Sequence, residues 1–386
     1  MRLRKIVFWL HLVAGLIAGS VILVMSVTGV LLAFEPQLTE WVDRNLRVVP
    51  PQAGAPRLSI DALIARVRAA EPNAAPSGFT LRSDPAAPAA IGLGRERTFF
   101  VNPYTGAVLG EGSKQARAFF GSVTNVHRWL GTPEESRALG RAVTGACNLA
   151  FLFLVVSGPY LWWPRKWTKS AGRAIVIPNV RRRGKTRAFT LHNAIGFWSA
   201  PILFFIVLSG VTMSYSWATN LLYRLTGNEP PPPRAVADRP IPPRENSIPN
   251  DIDRFCAIAT QRVPDWKTIS VRFETSPSAP LMFSIEQGDR GRPDLRSQLT
   301  IGPNTGEVVR WEPFSSLNRG RQLRAWARFG HTGEAGGAPG QTIAALASTG
   351  AAVLVGTGFT LAWRRFRGRK RAREELRVSE SVNVLS

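Results

Sequence analysis

Apolar positions along this chain gather into four long runs, at about 6–34, 140–163, 192–216 and 341–363. Each is close to the length that crosses about 30 Å of hydrocarbon as a helix, so the pattern predicts four membrane spans. The first run exceeds the apolar core of a signal peptide, and no small-x-small cleavage site follows it, so it is expected to stay as an anchor. Between the runs the pattern changes. Ser59–Arg68 alternates as an amphipathic helix with a serine cap, ended before Pro72. Strand-like text follows, including Arg97–Val101, then a tight turn at Pro103-Tyr104-Thr105-Gly106-Ala107-Val108. After the third run, Pro230 to Pro243 reads as a semi-rigid extended linker. A helix is expected from about Asp251 to Arg262, then strands near 268–274, 281–286 and 297–302. A second turn, Pro303-Asn304-Thr305-Gly306-Glu307-Val308, closes the segment.

The same signals recur at fixed offsets. In the first run Gly15 and Gly29 stand four and eighteen residues after His11; in the third, Gly196 and Gly210 stand at the same distances from His192. The two P-x-T-G-x-V turns lie two hundred residues apart, as do Ser157-Gly158 and Thr357-Gly358, and Trp163 and Trp363. The chain therefore reads as a duplication: span, outer α+β domain, span, twice over. The expected division is 1–35 for the first span, 36–139 for the first outer domain and 140–163 for the second span. A basic loop occupies 164–191, the third span 192–216, the linker and second outer domain 217–340, the fourth span 341–363 and a basic tail 364–386.

Charge gives an orientation. The N-terminal stub, the 164–191 loop and the tail hold 20 Lys/Arg against 3 Asp/Glu, whereas the rest of the chain holds 29 against 23. Basic residues beside spans mark the cytoplasmic side, so both termini are expected inside and the two long segments outside. These runs abut spans, which favours topology and anionic lipid over nucleic acid as their explanation. The basic 165–187 stretch could also dock an acidic partner. Cys147 lies in the second span and Cys256 in the second outer segment, so no disulfide is expected, and the absence of C-x-x-C-H excludes covalent c-type haem attachment. The tryptophans cluster at span ends as an interfacial belt. Trp129, two residues after His127, could instead line a cleft.

The chain has four histidines: His11, His127, His192 and His331. His127 stands in His127-Arg128-Trp129-Leu130-Gly131 ahead of the second span, where Thr132 as N-cap, Pro133 at N1 and acids in the first turn predict a helix start. His331 precedes the fourth span, followed by Thr332-Gly333 rather than Arg-Trp.

With the H-x3-G openings of spans one and three, the P-x-T-G-x-V turns and His127-Arg128-Trp129-Leu130-Gly131, the sequence resembles the PepSY-associated transmembrane family. Within it the resemblance is to bacterial inner-membrane ferric-siderophore reductases of the ferrioxamine type. That resemblance covers almost the whole chain. It implies an α-helical membrane protein of four transmembrane helices in two repeated halves, each with a PepSY-like α+β periplasmic domain. It further implies b-type haem in the membrane, in an oxidoreductase that reduces ferric siderophore on the periplasmic face.

The histidines can be read beside that resemblance. Neutral imidazoles on opposite faces give six-coordinate haem suited to electron transfer. His11 and His192 fall at the inner ends of their spans, and His127 and His331 beyond the outer ends. Two haem b groups are therefore expected, one between His11 and His192 and one between His127 and His331, with Gly15 and Gly196 letting a flat ring approach the backbone. The eighteen residues from His11 to Gly29 rise about 27 Å, so one site alone would leave electrons on the wrong side. The bland alternative is four interfacial polar residues. Zinc is a weaker one, since its ligands usually converge in fours. No dinucleotide fingerprint or P-loop is present, so electrons are expected from membrane quinol or a cytoplasmic reductase. The rival functions are a di-haem cytochrome serving another periplasmic acceptor and a non-redox sensor or protease-regulating membrane protein.

Overall fold

The computed structural model describes residues 2–385 apart from 74, 95, 96, 165, 167, 180, 182, 232–250 and 274–278. Most of the expected Pro-rich linker, and Trp167, lie outside the described residues. In chain order the helices are α1 (Arg2–Leu32), α2 (Glu35–Val42), α3 (Ile60–Ala70), α4 (Lys114–Trp129), α5 (Arg137–Trp162), α6 (Lys169–Val176), α7 (Gly184–Ser214), α8 (Ser216–Leu225), α9 (Ile252–Arg262), α10 (Arg319–His331) and α11 (Gly337–Leu385). The strands are β1 (Pro76–Arg82), β2 (Ala89–Leu93), β3 (Arg97–Val101), β4 (Val108–Gly110), β5 (Thr268–Arg272), β6 (Leu281–Glu286), β7 (Arg296–Ile301) and β8 (Val308–Pro313). They form two compact units. One holds Met1–Phe34, Phe120–Thr219 and Gly330–Ser386; the other holds Glu35–Phe119 and Asn220–Phe329.

In the first unit α1, α5, α7 and α11 close a ring in which each helix packs against two others. All four are long and apolar enough to cross a membrane. Their outward side chains, such as Ile17 at 76 % and Phe205 at 67 % exposure, would be costly in water and suit lipid. Between helices in lipid, close contact replaces the hydrophobic drive, and small residues supply it. A Cβ on Gly350 of α11 would collide with the Ser199 hydroxyl of α7, and one on Gly19 of α1 would lie 2.7 Å from the Phe359 ring of α11. Several span hydroxyls bond backward along their own helices, as Thr349 does to the Ala345 carbonyl at 2.9 Å, so these need no water.

The second unit is an eight-stranded antiparallel sheet ordered β4-β3-β2-β1-β5-β6-β7-β8. Strands from both outer segments thus share one sheet, where the sequence reading gave each segment an α+β domain of its own. The segments meet at β1 and β5, with Thr80 opposite Ser270. Pairing covers two strand edges that would otherwise stay open. Gly78 makes the junction possible: its φ is +155° and a side chain there would collide with the Val271 carbonyl. Helices α3 and α9 contribute Leu63, Val67, Phe255 and Ala259 to one core with Phe79, Ile91, Val271, Phe283 and Leu299. Ser59 caps α3 as the sequence suggested, accepting from the Ala62 N–H at 3.1 Å. The two P-x-T-G turns close alike: Gly106 N–H donates to Asn102 and Gly306 N–H to Gly302, each at 2.9 Å.

At the α3 and α9 starts, the Asp253 carboxylate accepts from the Ile60 N–H at 2.6 Å and the Asp61 N–H at 3.3 Å. Asp61 in turn accepts from the Asp253 N–H, so the helices cap each other. Burial, then the adjoining Asp253 carboxyl, pushes the Asp61 carboxyl up to about 6.

One local expectation is corrected. Thr132 does not cap a helix: its hydroxyl turns back to the Trp129 carbonyl at 2.9 Å. Pro133 is extended, a 3-10 turn runs Glu134–Ser136, and α5 begins only at Arg137. The reversal through Leu130 (φ 56°) and Gly131 (φ 72°) leaves α4 carbonyls exposed, and Thr132 and Thr144 satisfy them instead.

Candidate functional site

The helical unit brings the four histidines together in two pairs. His11 in α1 and His192 in α7 line one cavity. His127, in the last turn of α4, and His331, the last residue of α10, lie close enough that a charge on either would be felt by the other. Among the described residues no three of His, Cys, Asp or Glu converge as a metal cluster.

Each imidazole meets the same local arrangement on a neighbouring helix. His11 Nδ1 lies 2.7 Å from Ser157 Oγ, His192 Nδ1 2.9 Å from Thr357 Oγ1, and His127 Nδ1 2.9 Å from Thr28 Oγ1. His331 Nδ1 lies 3.2 Å from Ser209 Oγ and 2.8 Å from the Ile206 carbonyl. Every one of these hydroxyls stands immediately before a glycine: Gly158, Gly358, Gly29 and Gly210. A Cβ on those glycines would lie 3.8, 3.6, 3.5 and 3.4 Å from Cε1 of the matching histidine. A Cβ there would only touch the ring at van der Waals distance, so each ring lies against the helix at its glycine, and the hydroxyl beside it anchors one nitrogen.

The hydroxyl protons decide the tautomer. Thr28 donates to the Val24 carbonyl at 2.6 Å, Thr357 to Val353 at 2.8 Å, Ser209 to Phe205 at 2.7 Å and Ser157 to Leu154 at 3.4 Å. A hydroxyl whose proton is so directed can only accept from an imidazole, so Nδ1 carries the hydrogen. The Ile206 carbonyl, which has no proton to give, requires the same of His331. Nε2 is left as the nitrogen with a free lone pair. An iron-ligating histidine needs this state, with its other ring nitrogen donating to an anchor.

The cavity at His11 and His192 measures about 480 Å³. Gly15 and Gly196 both line it, and its walls are mostly apolar, including Leu16, Phe151, Leu154 and Leu203. A planar apolar group with iron at its centre fits this donor set: two neutral imidazoles, glycine-thinned walls and no carboxylate among the lining residues. Lys185 and Arg365 also line it; by sequence Lys185 belongs only to the basic stretch that could dock an acidic partner, and Arg365 only to the basic tail. At the other pair, Asn148 donates to the Val207 carbonyl at 3.1 Å and packs beside Gly210. Trp129 is held between the Arg128 and Arg137 guanidinium groups, each 4.7 Å from its ring. Cys147 and Cys256 are both free thiols.

The four hydroxyls were visible in the sequence only as marks of repetition. The signal that identifies them is the pairing of Ser or Thr with Gly, each facing a histidine on another helix.

A family model for the PepSY-associated TM region matches residues 8–365, and the chain belongs to that family. Among curated proteins nothing matches the sequence.

Proposed function

We propose that this protein is a di-haem b-type membrane oxidoreductase that reduces ferric siderophore. His11 and His192 would hold one haem and His127 and His331 the other. One observation carries the reading: all four histidines are anchored at Nδ1 with Nε2 free, and they lie in two pairs in the membrane-crossing bundle. Four interfacial polar residues would have no need of matched anchors or of a shared cavity. The two halves are proposed to descend from a duplication, each supplying one histidine to each pair, and the two outer segments to be PepSY domains joined through β1 and β5.

Basic residues in the 164–191 loop and the tail support an orientation with both termini in the cytoplasm of a bacterial cell and the sheet unit in the periplasm. Bound haem supplies a one-electron Fe(III)/Fe(II) couple. The chain's own groups do the rest. Ser157, Thr357, Thr28, Ser209 and the Ile206 carbonyl hold the imidazoles in one tautomer. Leu16, Phe151 and Leu154 keep water out. The bundle spaces the pairs along the membrane normal, so that an electron taken at the inner face can leave at the outer one. Electrons are proposed to come from membrane quinol or a cytoplasmic reductase; one quinol gives two electrons and two protons and so serves two ferric chelates. Fe(III) held by hard oxygen donors accepts one electron, and the resulting Fe(II) binds those donors more weakly and leaves, the siderophore staying intact. No acid–base residue is required.

A pyridine haemochrome assay on the purified full chain tests this reading. Two b-type haems per chain are expected, falling to one in His192→Ala and in His127→Ala. Protein without a Soret band would favour a non-redox membrane protein of the same family.

A further inference from the structure

We propose that Arg365 and Lys185 form the carboxylate-binding mouth of the cavity at His11 and His192, taking the propionate groups of the haem held there. This rests on the proposed haem reading and says which way that haem faces. In the sequence, both residues belong to basic stretches that serve as topology signals. The structure separates them from their neighbours. Both line the histidine cavity, and no Asp or Glu does. Among the described residues neither has an acidic partner within ion-pair distance.

Arg365 is held in an unusual way. Its guanidinium lies 4.8 Å from the Phe8 ring and 5.2 Å from the Trp9 ring of α1, and Phe8 itself lines the cavity. Stacking fixes the plane of the fork and strips water from its faces. Its Nε is nevertheless buried with no hydrogen-bond partner. A guanidinium oriented by aromatics at a cavity with no acidic residue in its lining suits an anion that accepts a charge-assisted hydrogen bond from it. Lys185, in the first turn of α7, adds an exposed ammonium at the same cavity. A carboxylate suits this pair on charge and shape. Haem b carries two carboxylates on one edge of an otherwise apolar plane, and the apolar walls with basic groups on one side repeat that division. The propionates would then point to the end of the bundle where α7 begins. A phospholipid phosphate could offer a similar anion, and the experiment separates the two.

The test is a chemical double-mutant cycle on the full chain in nanodiscs, reconstituted either with haem b or with its dimethyl ester. The readout is the dissociation constant for haem taken up in a His127→Ala background. Arg365→Gln removes the partner of a carboxylate, so haem b should bind about tenfold more weakly. The loss should vanish with the dimethyl ester, which has no carboxylate to lose a partner. Arg365→Lys should restore part of the affinity, and Lys185→Gln should show the same ester dependence more weakly. A loss of equal size with acid and ester would overturn the proposal. So would a loss that follows the phosphatidylglycerol content of the disc and ignores esterification, since the anion would then be lipid. In both cases the haem reading would survive. Failure of the His127→Ala protein to take up either haem would refute the haem reading, and this inference with it.

Discussion

His192 and Thr357 meet across α7 and α11 at 2.9 Å, Nδ1 to Oγ1, and the Thr357 hydroxyl reaches on to the Val353 carbonyl at 2.8 Å. A hydrogen-bond chain of this kind fixes the ring without any charged partner, which a membrane interior would penalise. Thr357→Ala removes the anchor and leaves the helix intact. Haem retention at the His11–His192 site should weaken by about 10–100-fold, the range for loss of an outer-shell partner. The potential there should rise, since a ligand without its hydrogen bond donates less to iron. Thr357→Ser should behave as wild type. Haem titration of the apoprotein with potentiometry measures both; an alanine variant matching wild type in both would show the hydroxyl to be idle.

The turn that delivers His331 makes a second prediction. Gly333 has φ +76°, and a Cβ there would lie 2.6 Å from the Gly340 carbonyl. Gly333→Ala meets left-handed strain of about 1–2 kcal/mol, and the clash adds to it. His331 should be displaced and the haem count should fall from two to one, with the His11–His192 haem kept. Gly336, with open space where a Cβ would go, is the control, and Gly336→Ala should retain both. Equal haem content in the two variants would contradict the placement of His331.

The mutual caps of α3 and α9 give a pH dependence. The Asp61 carboxyl is raised to about 6 by burial and by Asp253, above an ordinary value of about 4. Between those values the folded state binds more protons than the unfolded one, so this group's contribution to stability falls as pH rises through about 4 to 6 and is level above. Asp61→Asn keeps an acceptor for the Asp253 N–H and removes the titration. Its melting temperature, followed by circular dichroism of the full chain, should change less across that window and exceed wild type above it. Parallel curves for the two proteins would count against the assignment.

Much of this was legible in the chain, and the exceptions have physical causes. Spans announce themselves because lipid demands about twenty consecutive apolar residues, and α1, α5, α7 and α11 cover the four runs. The pairing of His11 with His192 followed from equal offsets to Gly15 and Gly196, since a shared spacing places residues on equivalent helix faces. Joining β1 to β5 was not legible: it is a contact between residues such as Thr80 and Ser270, and alternation alone cannot say which edge a strand pairs with. The Thr132 cap failed because cap residues also satisfy the end of a preceding helix, and here Trp129 ends one. Arg365 was hidden among other arginines, because a basic run near a span carries a topology signal whatever each side chain does.

The proposed function requires that electrons reach a ferric chelate. The most direct measurement takes the full chain, reduced anaerobically with dithionite and freed of excess reductant, and mixes it with a ferric trihydroxamate siderophore while following the reduced b-type band and the Fe(II) released. Loss of the band with about two Fe(II) formed per chain, one for each haem expected of the paired histidines, is predicted, and His127→Ala should slow it greatly. A reduced spectrum that persists in the presence of ferric siderophore, or a His127→Ala protein that reoxidises as fast as wild type, would contradict it.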